Sequence, residues 1–147
     1  MENIYFAGFV PNPYKYMSRS DVFVFPSLYE EFPNALAEAV CLGLPCVAAD
    51  FHTGAREILA PDMVEGDNVV ENVMEVAYGM LTPVCSGKYY KDMSEPLEPA
   101  EKCLEQAVTR MMTNEKKMSE YGEKSRQRSE SLKIDAVVNK WVQVIEK

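Results

Sequence analysis

Apolar residues in the first half of the chain fall into short dense runs separated by polar turns. IYFAGFV (4–10), DVFVF (21–25), LPCVAAD (44–50) and MLTPV (80–84) are β-branched, aromatic or small apolar blocks. Gly, Pro, Ser or Asp bounds each of them, which is the pattern of buried strands. DVFVF is apolar on both faces and so predicts a central strand of a parallel sheet.

Between these runs the spacing turns helical. NPYKYMSRSD predicts a short helical turn opened by Asn12 and Pro13. Pro33 suits the first turn of a helix, where its missing N–H costs nothing. The stripe Leu36, Ala39, Val40 and Gly43 follows it at helical spacing, with Gly43 as a natural stop. HTGAREIL (52–59) reads as a loop and a short helix, and Pro61 to Asn68 as a polar loop. VVENVMEVAYG also reads as helical, since Val70, Val73, Met74 and Ala77 share a face. Strands alternating with helices predict an α/β layered domain around a parallel sheet.

After SGKYYKDMSEPLEP the chain becomes helical. A stripe from Pro99 runs through Ala100, Cys103, Leu104, Ala107, Val108, Met111 and Met112. A more charged helix covers about 115 to 129, and a last one carries Ile134, Val137, Val138, Trp141, Val142 and Ile145. The Met111–Met112 pair and the Trp141 stripe are expected in the core. The basic run Lys116, Lys117, Lys124, Arg126 and Arg128, interleaved with Glu, is expected on a solvated face.

Composition narrows the function classes. A chain of 147 residues is one ordinary domain. A net charge of −8 argues against a general nucleic-acid binder, which neutralises phosphates with Lys and Arg. Cys41, Cys46, Cys85 and Cys103 show no CxxC spacing, and His52 is the only histidine, so a Cys/His zinc site is not expected. Cys41, Cys46 and Cys103 fall at apolar positions, as free thiols of a reduced, cytoplasmic protein would. No signal peptide is visible, and no apolar run approaches the roughly 18 residues of a membrane span.

The candidate chemistry lies in PSLYEEFPNALAEAV (26–40), which holds Glu30, Glu31 and Glu38. A helix that follows a parallel strand starts at the carboxyl edge of the sheet. Its unpaired N–H groups and positive dipole suit a phosphate or diphosphate. Glu30 precedes this helix and can point into the crevice. Glu38 lies more than a turn inside it, on the face of Asn34, at spacing i, i+4. A carboxylate can accept from two neighbouring hydroxyls, which suits a ribose diol or a sugar edge. Acids at a helix start also favour the dipole with no ligand present, so for Glu30 and Glu31 both readings stay open.

The segment FVFPSLYEEFPNALAEAVCLGLPCVAAD resembles the donor site of the group 1 (family 4) retaining glycosyltransferases of GT-B fold. The matching features are Pro26-Ser27, Glu30, Glu38-Ala39, Gly43-Leu44-Pro45 and the run Cys46 to Asp50. Upstream, NPYKYMSRSD resembles the family's short helix leading to an acidic residue, here Asp21. TGAREIL (Thr53 to Leu59) and YGMLTPV resemble its next helix and last strand. The resemblance implies a Rossmann-like sheet, part of a GT-B C-terminal domain, over residues 1–95. Residues 96–147 would be C-terminal helices packing on the same domain. It implies that Glu30 is the catalytic residue, contacting hydroxyls of the donor sugar, and that Glu38 holds the ribose diol. Backbone amides around Phe32, Pro33 and Asn34 would face the diphosphate. The donor would be UDP- or GDP-linked and the acceptor a glycan or a lipid-linked sugar, in cell-surface polysaccharide synthesis. No metal or other cofactor is expected.

Two departures qualify this. Glu31 stands where the family commonly has Gly. The chain also begins after the two strand–helix units that carry the family's diphosphate-clamping Arg and Lys, and its N-terminal half offers only Lys15, Arg19 and Arg56. A partial donor domain without transferase activity of its own is therefore expected. Its partners would be a nucleotide-sugar, an N-terminal acceptor domain and, at a membrane, peripheral contact only. An unpaired sheet edge would invite self-association. A non-catalytic nucleotide-sugar-binding module is the rival from another class. A receiver-type signalling domain, suggested by Asp50 at a strand end, is more distant, because no acidic pair follows the first strand and no Lys ends a late one.

Overall fold

The computed structural model describes residues 3–51, 53–63, 70–92 and 94–146. In chain order the elements are α1 (Tyr14–Met17), β1 (Phe23–Phe25), α2 (Asn34–Cys41), β2 (Cys46–Ala49), α3 (Ala55–Leu59), β3 (Met74–Val76), β4 (Gly79–Thr82), α4 (Pro99–Met112), α5 (Glu115–Ser129) and α6 (Ile134–Ile145). A 3₁₀ turn, Glu130–Leu132, joins the last two helices. The strand order is β1-β2-β4-β3. β1 pairs parallel with β2, with Val24 opposite Val47, and β2 pairs parallel with β4, with Ala48 opposite Leu81. β3 closes the far edge antiparallel to β4, with Glu75 opposite Met80.

The sheet has a core on each face because side chains alternate along the strands. Cys46, Ala48 and Leu81 join Leu36, Val40, Ile58 and Leu59, all buried, beneath α2 and α3. Val47 and Met80 join Ala107, Met111 and Tyr121 beneath α4 and the first half of α5. Each fully buried aliphatic side chain stabilises the fold by about 1.5–3 kcal/mol.

α5 ties the two layers together. Tyr121 belongs to the α4 side, whereas Ser125 Oγ donates to the Leu44 carbonyl at 2.7 Å. Arg128 donates to the carbonyls of Ile58 (2.9 Å) and Glu57 (2.6 Å), the open C-terminal end of α3, and stacks its guanidinium over Tyr78. A cation on those last carbonyls also complements the helix dipole. Arg128 is thus a packing residue and not part of a solvated basic face.

Local chemistry explains where α2 stops. Gly43 has φ +75°, its N–H donates to the Val40 carbonyl at 2.9 Å, and Leu44 donates to Ala39 at 3.1 Å. These are the paired bonds of a Schellman cap. α4 starts just as definitely, through a capping box between Glu98 and Glu101 with Pro99 at the first turn.

Several expectations fail. Residues 4–10 form no strand: Gly8 has φ +62°, outside extended geometry, and Phe6 and Phe9 are 89% and 95% exposed. A strand exists only through its ladder, and this segment has no backbone partner among the described residues. The run 21–25 shortens to β1 and lies at an edge of the sheet, with Val24 exposed, so it is not central. Instead of a helix, 70–79 supplies β3 and a two-residue turn at Ala77 and Tyr78, which makes the sheet mixed. β4 gains a pairing partner there, and Glu75 forms an ion pair with Lys117. α6 has no buried residue and Trp141 is 65% exposed, and Met112 is exposed beside buried Met111. Of the polar loop Pro61 to Asn68, residues 64 onward lie outside the described residues, as does His52.

Candidate functional site

The loops that leave the carboxyl ends of β1 and β2 meet at one edge of the sheet, residues 26–33 of the first against residues 53 and 54 of the second. Two consecutive residues of the second loop hold the first. Thr53 Oγ1 donates to the Glu30 carbonyl at 2.6 Å. Gly54, at φ +89°, packs so closely that a Cβ placed there would lie 2.3 Å from Pro33 Cδ. Pro33 itself is buried under this contact.

Pro33 (φ −80°, ψ 79°) forms an inverse γ-turn, in which the Asn34 N–H donates to the Phe32 carbonyl at 2.9 Å. This corrects the expectation for Asn34, whose amide is engaged within the chain. The amides of Phe32 and Ala35 make no hydrogen bond among the described residues, so they are the donors α2 presents at this end.

The carboxylates separate in role. Glu30 is half-buried, and its Oε1 accepts from Ser27 Oγ at 2.9 Å. Glu31 is exposed. Glu38 lies along α2 and accepts from the Tyr14 hydroxyl at 2.9 Å. That bond, and then the carboxylate charge behind it, raise the Tyr14 hydroxyl above the ordinary tyrosine range.

A cleft of about 580 Å³ opens beside α2, a size suited to a nucleotide-scale ligand. Phe32, Asn34 and Glu38 line it together, as the i, i+4 spacing requires. Glu30 and Pro33 are not on its wall. Tyr14, Cys41, Leu132 and Val137 also line it, and none was named from the sequence as a site residue. Cys41 was legible as the residue one turn beyond Glu38; the other three arrive through tertiary packing and left no local signal. Cys41 is exposed rather than part of the core. Partial burial, and then the negative charge of Glu38, push its thiol up.

Asp50, at the end of β2, is nearly buried and takes both prongs of Arg56, at 2.7 Å to Oδ1 and 2.6 Å to Oδ2. A carboxylate committed to a bidentate fork leaves no phospho-acceptor of the receiver type. Among the described residues no cluster of His, Cys, Asp and Glu could hold a metal ion, and no helix is long and apolar enough to cross a membrane.

Comparison with known proteins agrees with this architecture. Residues 1–82 match the family model for glycosyl transferases group 1, more than half of the chain. An uncharacterized glycosyltransferase of Methanocaldococcus jannaschii is 34% identical over 146 residues, which cover 98% of this chain and 36% of that protein. The N-acetylgalactosamine-N,N'-diacetylbacillosaminyl-diphospho-undecaprenol 4-alpha-N-acetylgalactosaminyltransferase of Campylobacter jejuni is 40% identical over 77 residues, 50% of this chain and 20% of that protein. The crystal structure of TarM superposes with a TM-score of 0.66 at 18% identity, covering 99% of this chain and 24% of that one. The chain therefore spans about a third of the first relative and about a fifth of the second. By its family match and its fold, the chain belongs to the group 1 glycosyl transferases and forms part of a GT-B architecture.

Proposed function

We propose that this chain is the donor-binding portion of a retaining glycosyltransferase. It would bind a UDP- or GDP-linked sugar for transfer to a glycan or lipid-linked acceptor in cell-surface polysaccharide synthesis. The observation that carries the proposal is the cleft that Phe32, Asn34 and Glu38 line together, at the end of α2 where the amides of Phe32 and Ala35 make no hydrogen bond among the described residues. Glu38 accepts from the ribose hydroxyls, and the amides with the α2 dipole face the diphosphate. Glu30, held by Ser27 and Thr53 in the loop that also carries the cleft-lining Phe32, meets the sugar. The relative named for a diphospho-undecaprenol-linked acceptor supports the acceptor class.

In the transfer, the bond from the anomeric carbon to the diphosphate oxygen breaks, and the acceptor oxygen bonds to that carbon from the same face. The acceptor proton passes to the leaving phosphate. Such a step needs positioning and stabilisation of developing negative charge. Among the described residues no Lys or Arg lines the cleft, Lys15 and Arg19 included, and Arg56 is paired with Asp50. The chain alone is therefore expected to bind the donor without transferring it.

Cys41 supplies a direct test, because it lines the cleft and is exposed, whereas Cys46 is buried and its thiol pushed up to about 12. Saturating UDP, GDP or their sugar conjugates should slow iodoacetamide labelling of Cys41 by about tenfold and leave Cys85 and Cys103 unchanged, read by peptide mass spectrometry. The thiolate is the reacting form, and Glu38 holds it down. Glu38→Gln should therefore lower the Cys41 pKa and speed its labelling at a fixed pH below that pKa. Labelling that no nucleotide slows would remove the proposal.

A further inference from the structure

Tyr14 lies well outside the acidic segment, 24 residues before Glu38, yet its hydroxyl donates to Glu38 Oε1 at 2.9 Å on the wall of the same cleft. We infer that Tyr14 is a positioning residue for ligand recognition, holding the Glu38 carboxylate so that its second oxygen is presented to a ribose hydroxyl. This inference rests on the donor-site reading above.

Local structure explains how Tyr14 gets there. Pro13 opens α1, and the amides of Tyr16 and Met17 both donate to its carbonyl, at 2.9 and 3.1 Å. Met17 packs against the core beneath α2, which fixes the one-turn helix in place. Tyr14, three residues earlier on that turn, is thereby delivered over α2.

The geometry separates positioning from mere support. α1 has no buried residue, and Tyr14 is 45% exposed. A hydrogen bond between two such exposed side chains adds little to folding stability. What it does fix is a direction. A glutamate has three rotatable side-chain bonds, and an unpartnered one on a helix surface samples several rotamers. With Oε1 held by Tyr14, Oε2 is a preset acceptor, and Asn34 lies one turn earlier on the same wall. A carboxylate oxygen presented in this way accepts hydrogen bonds, so the site selects ligands that bring hydroxyl donors. The ribose 2′-hydroxyl meets that requirement at Oε2, and a 2′-deoxyribose brings no donor there.

The test compares UDP and GDP with their 2′-deoxy counterparts on the whole chain, by calorimetric titration of the wild type, Tyr14→Phe and Glu38→Gln. The wild type should prefer the ribonucleotide. Tyr14→Phe should bind it about five- to tenfold more weakly while its affinity for the deoxy form stays within about twofold, so that the preference itself collapses. Glu38→Gln should lose the preference as well. A purely structural role would weaken both ligands equally and keep the ratio, and that result would overturn the inference, as would an unchanged Tyr14→Phe. Thermal unfolding of Tyr14→Phe at the wild-type midpoint checks that the chain as a whole stays folded. A wild type that binds neither nucleotide, or binds both sugars equally, would instead sink the donor-site reading, and the role of Tyr14 with it.

Discussion

Replacing Gly54 with alanine is expected to destabilise the chain by about 2–4 kcal/mol, a fall of roughly 5–15 °C in the unfolding midpoint. Two effects combine. At φ +89° any residue with a Cβ is strained. The new Cβ would also lie 2.3 Å from Pro33 Cδ, and Pro33 is a rigid ring that is itself buried, so one of the two loops must move. Movement would pull Thr53 away from the Glu30 carbonyl and shift the start of α2, so ligand binding should fall together with stability. Gly8→Ala is the control. It has φ +62° but nothing within 4 Å of its would-be Cβ, and should cost only about 1 kcal/mol. Urea unfolding of both variants decides the matter. If Gly54→Ala is no worse than Gly8→Ala, the contact between the two loops is not what fixes the site.

Leu81→Ala should destabilise the chain by about 3–4 kcal/mol. Leu81 is fully buried in β4, between Ala48 of β2 and Met74 of β3, and faces the cluster that holds Leu36, Ile58 and Leu59. Truncation removes apolar contact and leaves a cavity that strands paired on both sides cannot close by collapsing. Trp141→Ala removes a far larger side chain but one 65% exposed on α6, and should cost under about 1 kcal/mol. Equal losses in the two variants, measured by urea unfolding, would show that α6 carries more of the fold than its exposure indicates.

That contrast marks where the sequence was legible and where it was not. The stripe of Leu36, Ala39 and Val40 is buried as its period requires, Gly43 ends the helix, and Asn34 and Glu38 share a face. Each of these depends on residues within a turn or two of one another. The stripe of α6 has the same period and stays exposed, because periodicity says which face could be covered and not what covers it. Residues 4–10 have strand composition, but pairing is a property of two segments, and Gly8 at positive φ is invisible in a list of apolar residues. Val70, Val73, Met74 and Ala77 fit a helical period over too short a window, and the turn at Ala77 and Tyr78 decided for a hairpin. The contacts that shape the site, Tyr14 to Glu38 and Thr53 to Glu30, join residues 24 and 23 positions apart, so only the fold reveals them.

The most direct test of the donor-site reading is the thermal stabilisation of the chain by UDP, GDP and their sugar conjugates, measured beside Glu38→Ala. Ligand at about a hundredfold over its dissociation constant should add about 2.7 kcal/mol of stability to the wild type. Glu38→Ala removes two hydrogen bonds to a charged acceptor and should weaken binding by roughly two orders of magnitude or more, erasing most of that shift. A midpoint that rises with one nucleotide and no longer rises in Glu38→Ala is the predicted result. No rise with any nucleotide, or a rise that survives in Glu38→Ala, would contradict it.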